Sequence, residues 1–549
     1  MQGRVLQLDA RDNVLIALAD LHESESVAHL GQNYALATDV PAKHKFATRD
    51  LASGDAVTMY GVLVGRACMP IARGEVLTTR NLRHDSAAYG DSWDPLPWRA
   101  PEVSRWRDVT FPGFHRPGGA VGTRNYWIVI PLVFCENRNL LVLKQAFEEE
   151  LGFTPPQIYR RHVAEMLRLH REGRGTELKD FAFSASDAPP AAPRAFPHVD
   201  GIKFLLHQGG CGGTREDAEN LCGLLADYIL HPNVAGATVL SLGCQNAQVA
   251  MLREQLARRA PKVEKPLLIF EQQQSGSEAA MLSAAVRDTF RGLVEADKAT
   301  RAPAPLSRLC VGLKCGGSDG FSGISANPAI GYTADLLAAL GGAGILSEFP
   351  ELCGVEQELI NRSVRKEVGD RFVQLMRDYA ARAQSVRTSF AFNPSPGNIR
   401  DGLITDAMKS AGAAKKGGAS PVTAVLDYPE RVREAGLNLL CTPGNDVECV
   451  TAQVGAGANV VLFTTGLGTP TGNPVAPVIK LSSNSSLAAR MADIIDFDCG
   501  PIVAGALSIT EAGERILDLV AQVAGGAVRT KAEQLCQDDF IPWKRGISL

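Results

Sequence analysis

Four apolar runs with the composition of buried strands each end in a cysteine, and three of these cysteines adjoin glycine. The runs and their cysteines are 126–134 before Cys135, 202–207 before Cys211, 237–242 before Cys244 and 309–314 before Cys315. Strands that alternate with helices favour a parallel sheet, and ligand sites in such sheets form where the strands end. The pattern therefore predicts that four thiols meet at one sheet edge in an iron-centred or thiolate-dependent enzyme site.

Size and composition narrow the classes of protein to consider. The 549 residues are too many for one core, so several domains are expected. A net charge of −4 without a basic stripe argues against nucleic acid as a partner. No apolar run reaches the roughly 18–20 residues of a spanning helix, and the N-terminus lacks a signal-peptide core, so no membrane partner is expected. Twelve scattered cysteines are typical of reduced thiols, which favours the cytoplasm.

The composition and the hydrophobic pattern of the sequence divide it into four segments. Residues 1–84 predict a small β domain of short strands separated by glycine turns, with one helix over residues 12–21. Residues 85–112 carry several prolines and three tryptophans, and we expect a linker that lies against a neighbouring domain because exposed tryptophan is costly. Residues 113–301 and 302–549 alternate strands with helices, which predicts two α/β domains with mainly parallel sheets.

Several helices and one irregular segment are predicted within the α/β domains. Thr214 is the expected N-cap of a helix over residues 214–230, because acidic residues follow it in the first turn. A long helix is expected over residues 355–381. Residues 174–198, rich in alanine, proline and serine, are predicted to form a surface excursion.

The segment 315–328 carries the most specific chemistry. It follows a strand and contains four glycines, three serines, an aspartate and an asparagine. Such a turn can present backbone N–H groups and hydroxyls to an anion, which favours a carboxylate or polyhydroxylated ligand. The alternative is an ordinary surface loop, since polarity is only a correlate of loops.

Other candidate side chains lie near the strand ends. His207 could ligate iron or act as a general base, because the pKa of imidazole lies close to working pH. Alternatively, it is a hydrogen-bonded structural histidine. Lysines near two further glycine-rich loops could neutralise a substrate carboxylate or could lie on the solvated surface: Lys409, Lys415, Lys416 and Lys480. Arg124 and Asn125 could form a fork for a carboxylate.

Eight further cysteines are assigned mostly to the class of inert, small apolar side chains. They are Cys68, Cys222, Cys310, Cys353, Cys441, Cys449, Cys499 and Cys536.

Taken together, these motifs resemble the altronate/galactarate dehydratase family. The matching segments are 122–126, 207–212, 242–244, 315–328, 393–398 and 463–468. The first 84 residues resemble the family's SAF domain, a β-clip-like module, with residues 41–45 at its central motif. The sequence departs from the family pattern at residues 118–120, which lack an acidic-Gly-Arg step. It also departs at residues 77–81, which replace a histidine-rich tail and leave His44 without its usual companion.

The resemblance implies a hydro-lyase that uses iron to remove water from a sugar acid, with D-altronate favoured, and gives a 2-keto-3-deoxy acid. The proton next to a carboxylate is weakly acidic, so a metal must hold the carboxylate while a base removes the proton. We expect iron, as Fe²⁺ or an iron–sulfur cluster, or another divalent metal, at Cys135, Cys211, Cys244 and Cys315. The expected catalytic residues are His207 and Lys480. The expected substrate-binding residues are Arg124, Asn125, Ser318, Asp319, Ser322, Asn327 and His44.

Other functions remain open from the sequence. Within enzymes, galactarate or another aldarate could be dehydrated, or sulfite could be eliminated from a sulfonated acid. Outside enzymes, the chain could be a sugar-acid binding protein that lost the reaction, although a pure binder has no need of four thiols at strand ends. A dehydrogenase is not expected, because no Gly-x-Gly-x-x-Gly segment follows a first strand. A homo-oligomer, with a dimer favoured, is the expected assembly.

Overall fold

The computed structural model describes residues 4–90, 92–155, 157–179, 181, 193–390 and 393–548. A small antiparallel β unit precedes two α/β units that are each built on a parallel sheet. The predicted fold class is therefore confirmed. Much of the predicted surface excursion at 174–198 lies outside the described residues.

The N-terminal domain consists of short antiparallel strands in three small sheets, ordered β1–β2–β5, β3–β4 and β6–β7–β8. The strands are β1 (Val5–Leu6), β2 (Val14–Ala17), β3 (Ser26–His29), β4 (Gln32–Ala35), β5 (Lys45–Ala47), β6 (Ala56–Met59), β7 (Val62–Ala67) and β8 (Leu82–Arg83). The helix predicted over residues 12–21 is wrong, because this segment contains β2. All four residues of β2 are buried, and its sequence Val-Leu-Ile-Ala fits a strand that is covered on both faces.

The second domain is built on a four-stranded parallel sheet in the order β12–β11–β13–β14. Its strands are β9 (Thr110–His115), β10 (Val121–Gly122), β11 (Tyr126–Pro131), β12 (Gly201–Phe204), β13 (Val234–Ser241), β14 (Leu267–Glu271) and β15 (Ala302–Pro305). Its helices are α1 (Asn137–Leu151), α2 (Ile158–Arg171), α3 (Arg215–Leu230), α4 (Val249–Arg259) and α5 (Glu278–Ala296). Thr214 caps α3 as predicted, since its side chain accepts a hydrogen bond from Asp217 N. The strand order places the carboxyl ends of β11, β12 and β13 side by side.

The third domain is built on a seven-stranded parallel sheet. Its strands are β16 (Cys310–Cys315), β17 (Ala343–Leu346), β18 (Val422–Leu426), β19 (Gly436–Leu440), β20 (Val460–Thr465), β21 (Val478–Ser482) and β22 (Phe497–Asp498). Its helices are α6 (Ala326–Ala339), α7 (Glu356–Asn361), α8 (Lys366–Ser385), α9 (Pro396–Arg400), α10 (Asp406–Ala414), α11 (Asp446–Gly455), α12 (Ser485–Arg490), α13 (Gly500–Val503), α14 (Ile509–Ala524) and α15 (Lys531–Gln534). The single helix predicted over residues 355–381 is therefore divided into α7 and α8.

The strand order of this sheet marks the position of a binding site. The order is β18–β19–β17–β16–β20–β21–β22, so the chain moves to one side of β16 and later returns on the other side. Such a reversal leaves a crevice outside the carboxyl ends of the strands. The end of β16, at Cys315, lies at this switch point.

The segment before the second domain lies against the third domain. Trp93 Nε1 donates to Ser363 O at 3.1 Å, and Trp106 Nε1 donates to Asp518 Oδ1 at 2.8 Å. Only 3% of Trp106 is exposed. These contacts bury aromatic surface that would otherwise face water.

The N-terminal domain packs on the third domain next to the switch point. Its apolar core is continuous with Phe321 and Ile324, which follow β16, and with Met408 of α10. Thr405 Oγ1 donates to Val64 O at 2.7 Å across the same contact. Within the described part of the chain, no helix combines the length and the apolar character that crossing a bilayer requires.

Candidate active site

A cavity of about 480 Å³ opens at the carboxyl ends of the strands around the switch point. Its polar lining combines amides, hydroxyls, charged groups and one thiol. The polar side chains of the lining are those of Cys315, Ser318, Glu351, Asn393, Ser395, Asn398, Lys409, Asn445, Asp446 and Thr471. This is the type of lining that a small, polyhydroxylated anion requires.

Cys315 ends β16 inside this cavity, and only 3% of it is exposed. Its Sγ contacts the Ser318 hydroxyl, and Asn327 Nδ2 donates to it at 3.6 Å. Asn327 is held by two further bonds, from Thr464 Oγ1 to its Oδ1 at 2.6 Å and from its Nδ2 to Gly412 O at 3.1 Å. Asn327 therefore orients the thiol.

Asp319 organises the loop that follows. Its carboxylate is fully buried, and it accepts from the backbone N–H of Phe321, from the Ser322 N–H and hydroxyl, and from Ser483 Oγ at 2.8 Å. Lys43 Nζ of the N-terminal domain lies 3.0 Å from Asp319 Oδ2. The polar atoms of Asp319 and Ser322 thus hold the loop, and neither residue is among the described residues that line the cavity, so their predicted binding of substrate is not supported.

The central motif of the N-terminal domain docks directly on this loop. Lys43 Nζ also lies 3.0 Å from Asp401 Oδ1, and Lys45 Nζ donates to Gly402 O at 2.7 Å. Burial lowers the pKa of Lys45 to about 7. His44 is partly buried and its Nδ1 lies 3.3 Å from Ala42 O, and burial lowers its pKa. His44 is not among the described side chains that line the cavity, so the predicted direct contact with substrate is not supported.

A network of buried lysines and carboxylates lies behind the cavity. Lys314 Nζ contacts Glu348 Oε1, and Lys416 Nζ lies 2.7 Å from Glu348 Oε2. Lys409 Nζ lies 2.7 Å from Glu351 Oε1. Burial opposes the charge on Glu351, but Lys409 and Lys416 outweigh it and lower its pKa to about 2. Glu351 is therefore ionised at neutral pH.

The Glu351–Lys409 pair forms the charged wall of the cavity. Lys409 Nζ also donates to Asn393 Oδ1, and Glu351 raises the pKa of Lys409 against the effect of burial. Glu351 Oε2 is buried and has no hydrogen-bond partner among the described residues, and Lys416 Nζ lies 3.9 Å away. The cavity thus offers an ammonium group beside an unbonded carboxylate oxygen.

The three remaining strand-end cysteines lie at the edge of the other sheet. Cys135, Cys211 and Cys244 follow β11, β12 and β13, and all three are exposed. The loops that carry them touch. Phe134 N donates to Gly209 O and Ala247 N donates to Gly210 O, both at 3.1 Å. Gly210 has φ +99°, and a Cβ there would lie 2.1 Å from Leu132 O, so this close approach requires glycine.

Cys315 does not join these thiols. Cys211 lines a separate cavity of about 580 Å³ together with Glu448 of α11, whereas Asp446 of the same helix lines the Cys315 cavity. Residues two positions apart face opposite sides of a helix, so the first turn of α11 separates the two cavities. The structure therefore does not gather the four predicted thiols around one cavity, because β16 belongs to a different sheet from β11, β12 and β13.

Three domain families match successive parts of the chain. The SAF domain of altronate/galactarate dehydratases matches residues 3–85. The second domain of galactarate dehydratase/altronate hydrolase matches residues 113–297, and the C-terminal domain of galactarate/altronate dehydratase matches residues 306–548. Altronate dehydratase from Escherichia coli (strain K12) is 34% identical over 554 residues, which covers 99% of each chain.

The chain belongs to the galactarate/altronate dehydratase family. Altronate dehydratase from Bacillus subtilis (strain 168) is 33% identical over 500 residues, covering 90% of each chain. Galactarate dehydratase (L-threo-forming) from Escherichia coli (strain K12) is 28% identical over 527 residues, covering 95% of this chain and 93% of the relative. The resemblance stated from the sequence motifs is confirmed.

In this family member, His207 holds a loop. It is 5% exposed, its Nε2 lies 2.7 Å from Pro131 O, and its Nδ1 accepts from Gly209 N at 3.0 Å. Burial lowers its pKa to about 4, so the imidazole is neutral. Backbone groups contact both ring nitrogens, and His207 also lines the Cys211 cavity, so its acid/base role stays a prediction.

Lys480 supports the cavity from behind. It lies on β21, and its Nζ donates to Thr471 O and, at 3.0 Å, to Gln537 Oε1. Burial lowers its pKa to about 8. Thr471 lines the cavity and Lys480 does not, so Lys480 holds the loop, and its catalytic role stays a prediction.

Arg124 and Asn125 lie at the wrong end of their strand for substrate binding. They precede β11, whereas the thiol edge follows it. Arg124 forms two hydrogen bonds to Glu533, at 2.6 and 3.0 Å. Asn125 Nδ2 donates to His198 O at 2.8 Å. Both side chains are buried. Arg124 ties the second domain to the third, and Asn125 is bound within the second domain, so neither contact supports the predicted binding of substrate.

Ser318 is the predicted substrate-binding residue that lines the cavity. Glu351 also lines the cavity but was not predicted from the sequence. The position of Glu351 shortly after the end of β17 is the signal that could have indicated a site residue there. Lys409 was one of several lysines left between a substrate-binding role and a surface role, and the structure places it in the cavity wall.

Proposed function

We propose that this chain is a hydro-lyase that removes water from a sugar acid in the Cys315 cavity, with altronate as the favoured substrate. The observation that carries the proposal is the Lys409 ammonium beside the unbonded Oε2 of Glu351, in a polar cavity at the switch point of the sheet. The names of two relatives that match at 33–34% identity, both altronate dehydratases, support the same substrate class.

The chain's own groups suit the proton transfer that dehydration requires. A base must remove the proton at C2 of the sugar acid, and the C3 hydroxyl then departs as water. The resulting enol takes up a proton at C3 and becomes the 2-keto acid. Lys409 would bind the substrate carboxylate through a charge-assisted hydrogen bond. Glu351, whose carboxylate is ionised at neutral pH, would accept the C2 proton at its unbonded Oε2.

The lining favours an acid with one carboxylate. Among the described lining residues, Lys409 is the cation, while Glu351 and Asp446 are anions. Asp446 Oδ1 is already paired with Lys314 Nζ at 2.8 Å. A second substrate carboxylate would therefore lack a cation of its own, which favours an aldonate over an aldarate. The hydroxyls of the substrate would form hydrogen bonds with the amide and hydroxyl side chains that line the cavity.

The exposed thiols fit an iron cofactor. Thiolates are soft ligands that bind iron–sulfur clusters, and three of them stand on touching loops at one sheet edge. We propose that Cys135, Cys211 and Cys244 would hold iron as a cluster. When bound, the iron would supply a Lewis acid at the Cys211 cavity, on the other side of the first turn of α11 from the Cys315 cavity, and the proton transfer described above does not depend on it.

The experiment supplies the purified protein with iron under anaerobic conditions and offers it altronate, galactarate and sulfolactate separately. Mass spectrometry of the products should show loss of one water from altronate at the highest rate. Sulfite release from sulfolactate as the main reaction would replace the proposal with a different elimination. If none of these acids gives a product, the proposed dehydration of a sugar acid is contradicted.

Variants connect the reaction to the cavity. Glu351→Gln should lower kcat by about 10²-fold or more, because it removes the proton acceptor and keeps the shape. The matched control is Glu358→Gln, which alters a half-exposed carboxylate on α7 outside the cavity. Equal activity in both variants would remove Glu351 from the proposed mechanism.

A further inference from the structure

A second group of metal-ligating side chains lies where the N-terminal domain meets the third domain. His84 follows β8, Cys353 follows the turn after β17, and Asp406 begins α10. One ligand atom from each residue lies within 4.8 Å of the other two. None of the three is among the described residues that line the Cys315 or the Cys211 cavity.

Asp406 has the least satisfied carboxylate of this group. Its side chain is fully buried, and the thiol of Cys353 is the hydrogen-bonding neighbour of its carboxylate, which has no stronger donor among the described residues. A buried carboxylate with so little hydrogen bonding must be neutralised, either by a proton or by a cation.

The surrounding charges do not supply that cation. Lys409, one turn further along α10, is paired with Glu351 and Asn393. Glu356, which is 3% exposed, faces the same region, and its Oε2 accepts from Gly354 N at 2.6 Å. Two buried carboxyl groups, those of Asp406 and Glu356, therefore face the same group of ligand atoms.

We propose that His84, Cys353 and Asp406 bind one Zn²⁺ ion that ties the N-terminal domain to the third domain. Imidazole nitrogen, thiolate sulfur and carboxylate oxygen are the ligand types that Zn²⁺ uses, and three protein ligands leave a fourth position for water. His84 belongs to the N-terminal domain and the other two belong to the third, so the ion links two domains.

The site is also accessible to a metal. His84 and Cys353 are only partly buried, so ions can enter from the surface, whereas Asp406 closes the inner side. His84 Nδ1 lies 3.4 Å from Ala407 N, and the Cys353 thiol lies 3.8 Å from Ser86 Oγ. Both contacts are long, and a metal ion would replace them with stronger ones. Cys353 is thereby removed from the cysteines assigned as inert.

Zinc titration of the full-length protein after chelation tests the site. A chromophoric chelator reports the number of tightly bound equivalents in the wild type, Cys353→Ala, His84→Gln and the control Cys68→Ala. The control removes a partly buried thiol of the N-terminal domain that donates to Arg80 O at 3.0 Å. Wild type and control should bind one equivalent more than the other two variants. Zinc bound by other thiols contributes equally to all four proteins, so it cancels when their bound equivalents are subtracted.

Two further readouts make the result specific. Substitution with Co²⁺ should give a thiolate-to-cobalt absorption band that is weaker in Cys353→Ala than in Cys68→Ala. Added Zn²⁺ should raise the unfolding temperature of the wild type and the control but not of His84→Gln, whose partly exposed position keeps the variant foldable. Equal zinc binding in all four proteins, or equal cobalt spectra, would overturn the proposal.

Discussion

Replacing Lys409 by methionine should destabilise the third domain by about 3–5 kcal/mol at pH 7, the cost of removing one partner of a buried ion pair. Methionine keeps most of the hydrocarbon stem, so the lost charge dominates. Glu351, whose side chain is 3% exposed, would lose its partner at 2.7 Å and keep only Lys416 at 3.9 Å. The uncompensated carboxylate would then take up a proton.

Because Glu351 takes up this proton in the variant, the loss of stability depends on pH. In the wild type the pKa of Glu351 is about 2, below its ordinary 4.5, so the pair contributes stability above pH 4.5 that is lost as the pH falls through 2. In Lys409→Met the folded protein holds a proton that the folded wild type lacks. The stability deficit should therefore shrink by about 1.4 kcal/mol per pH unit, or about 2.7 kcal/mol between pH 7 and pH 5.

Urea unfolding followed by circular dichroism at both pH values measures this deficit. The double variant Lys409→Met, Glu351→Gln should recover much of the stability and lose the added pH dependence, because no charge is left unpaired. Lys415→Met is the control, since Lys415 is outside the cavity. An equal deficit at pH 5 and pH 7, or a double variant as unstable as the single one, would refute the electrostatic account.

Three further outcomes follow from the contacts of Lys45, His207 and the strand-end cysteines. Lys45→Met should lose stability relative to the wild type by up to about 1.4 kcal/mol per unit between pH 7 and pH 9, measured by thermal unfolding. The reason is that the depressed pKa of Lys45 makes the wild type more stable as the pH rises through this window. His207→Gln should keep kcat within about tenfold with an unchanged pH–rate profile, whereas a loss of 10²-fold or more would restore its acid/base role. Cys211→Ser should lose bound iron in a metal analysis, and Cys315→Ser should retain it.

The sequence predicted much of the framework that positions these sites. Alternating strands and helices indicated parallel sheets, and the acidic residues after Thr214 correctly indicated the N-cap of α3. The helix predicted over residues 12–21 failed because four consecutive buried apolar residues fit a covered strand equally well. Short apolar runs of this kind cannot be assigned from periodicity alone.

The arrangement of the site was less predictable. Four equivalent strand-to-cysteine segments do not reveal which sheet each strand enters, so Cys315 was grouped with thiols of another domain. The partners of His207 and Arg124 come from distant segments, and such contacts decide whether a polar residue binds substrate or holds a loop. Glu351 and Lys409 are separated by many residues, and only folding brings them together.

Proton NMR of altronate with the iron-supplied protein in D₂O tests the central claim most directly. The account predicts that the C2 proton signal disappears and that the 2-keto-3-deoxy product carries deuterium at C3. Lys409→Met should slow both changes by about 10²-fold or more, since it removes the group proposed to hold the carboxylate, while Lys415→Met should not. Unchanged altronate with the wild type, or turnover by Lys409→Met at the wild-type rate, would contradict it.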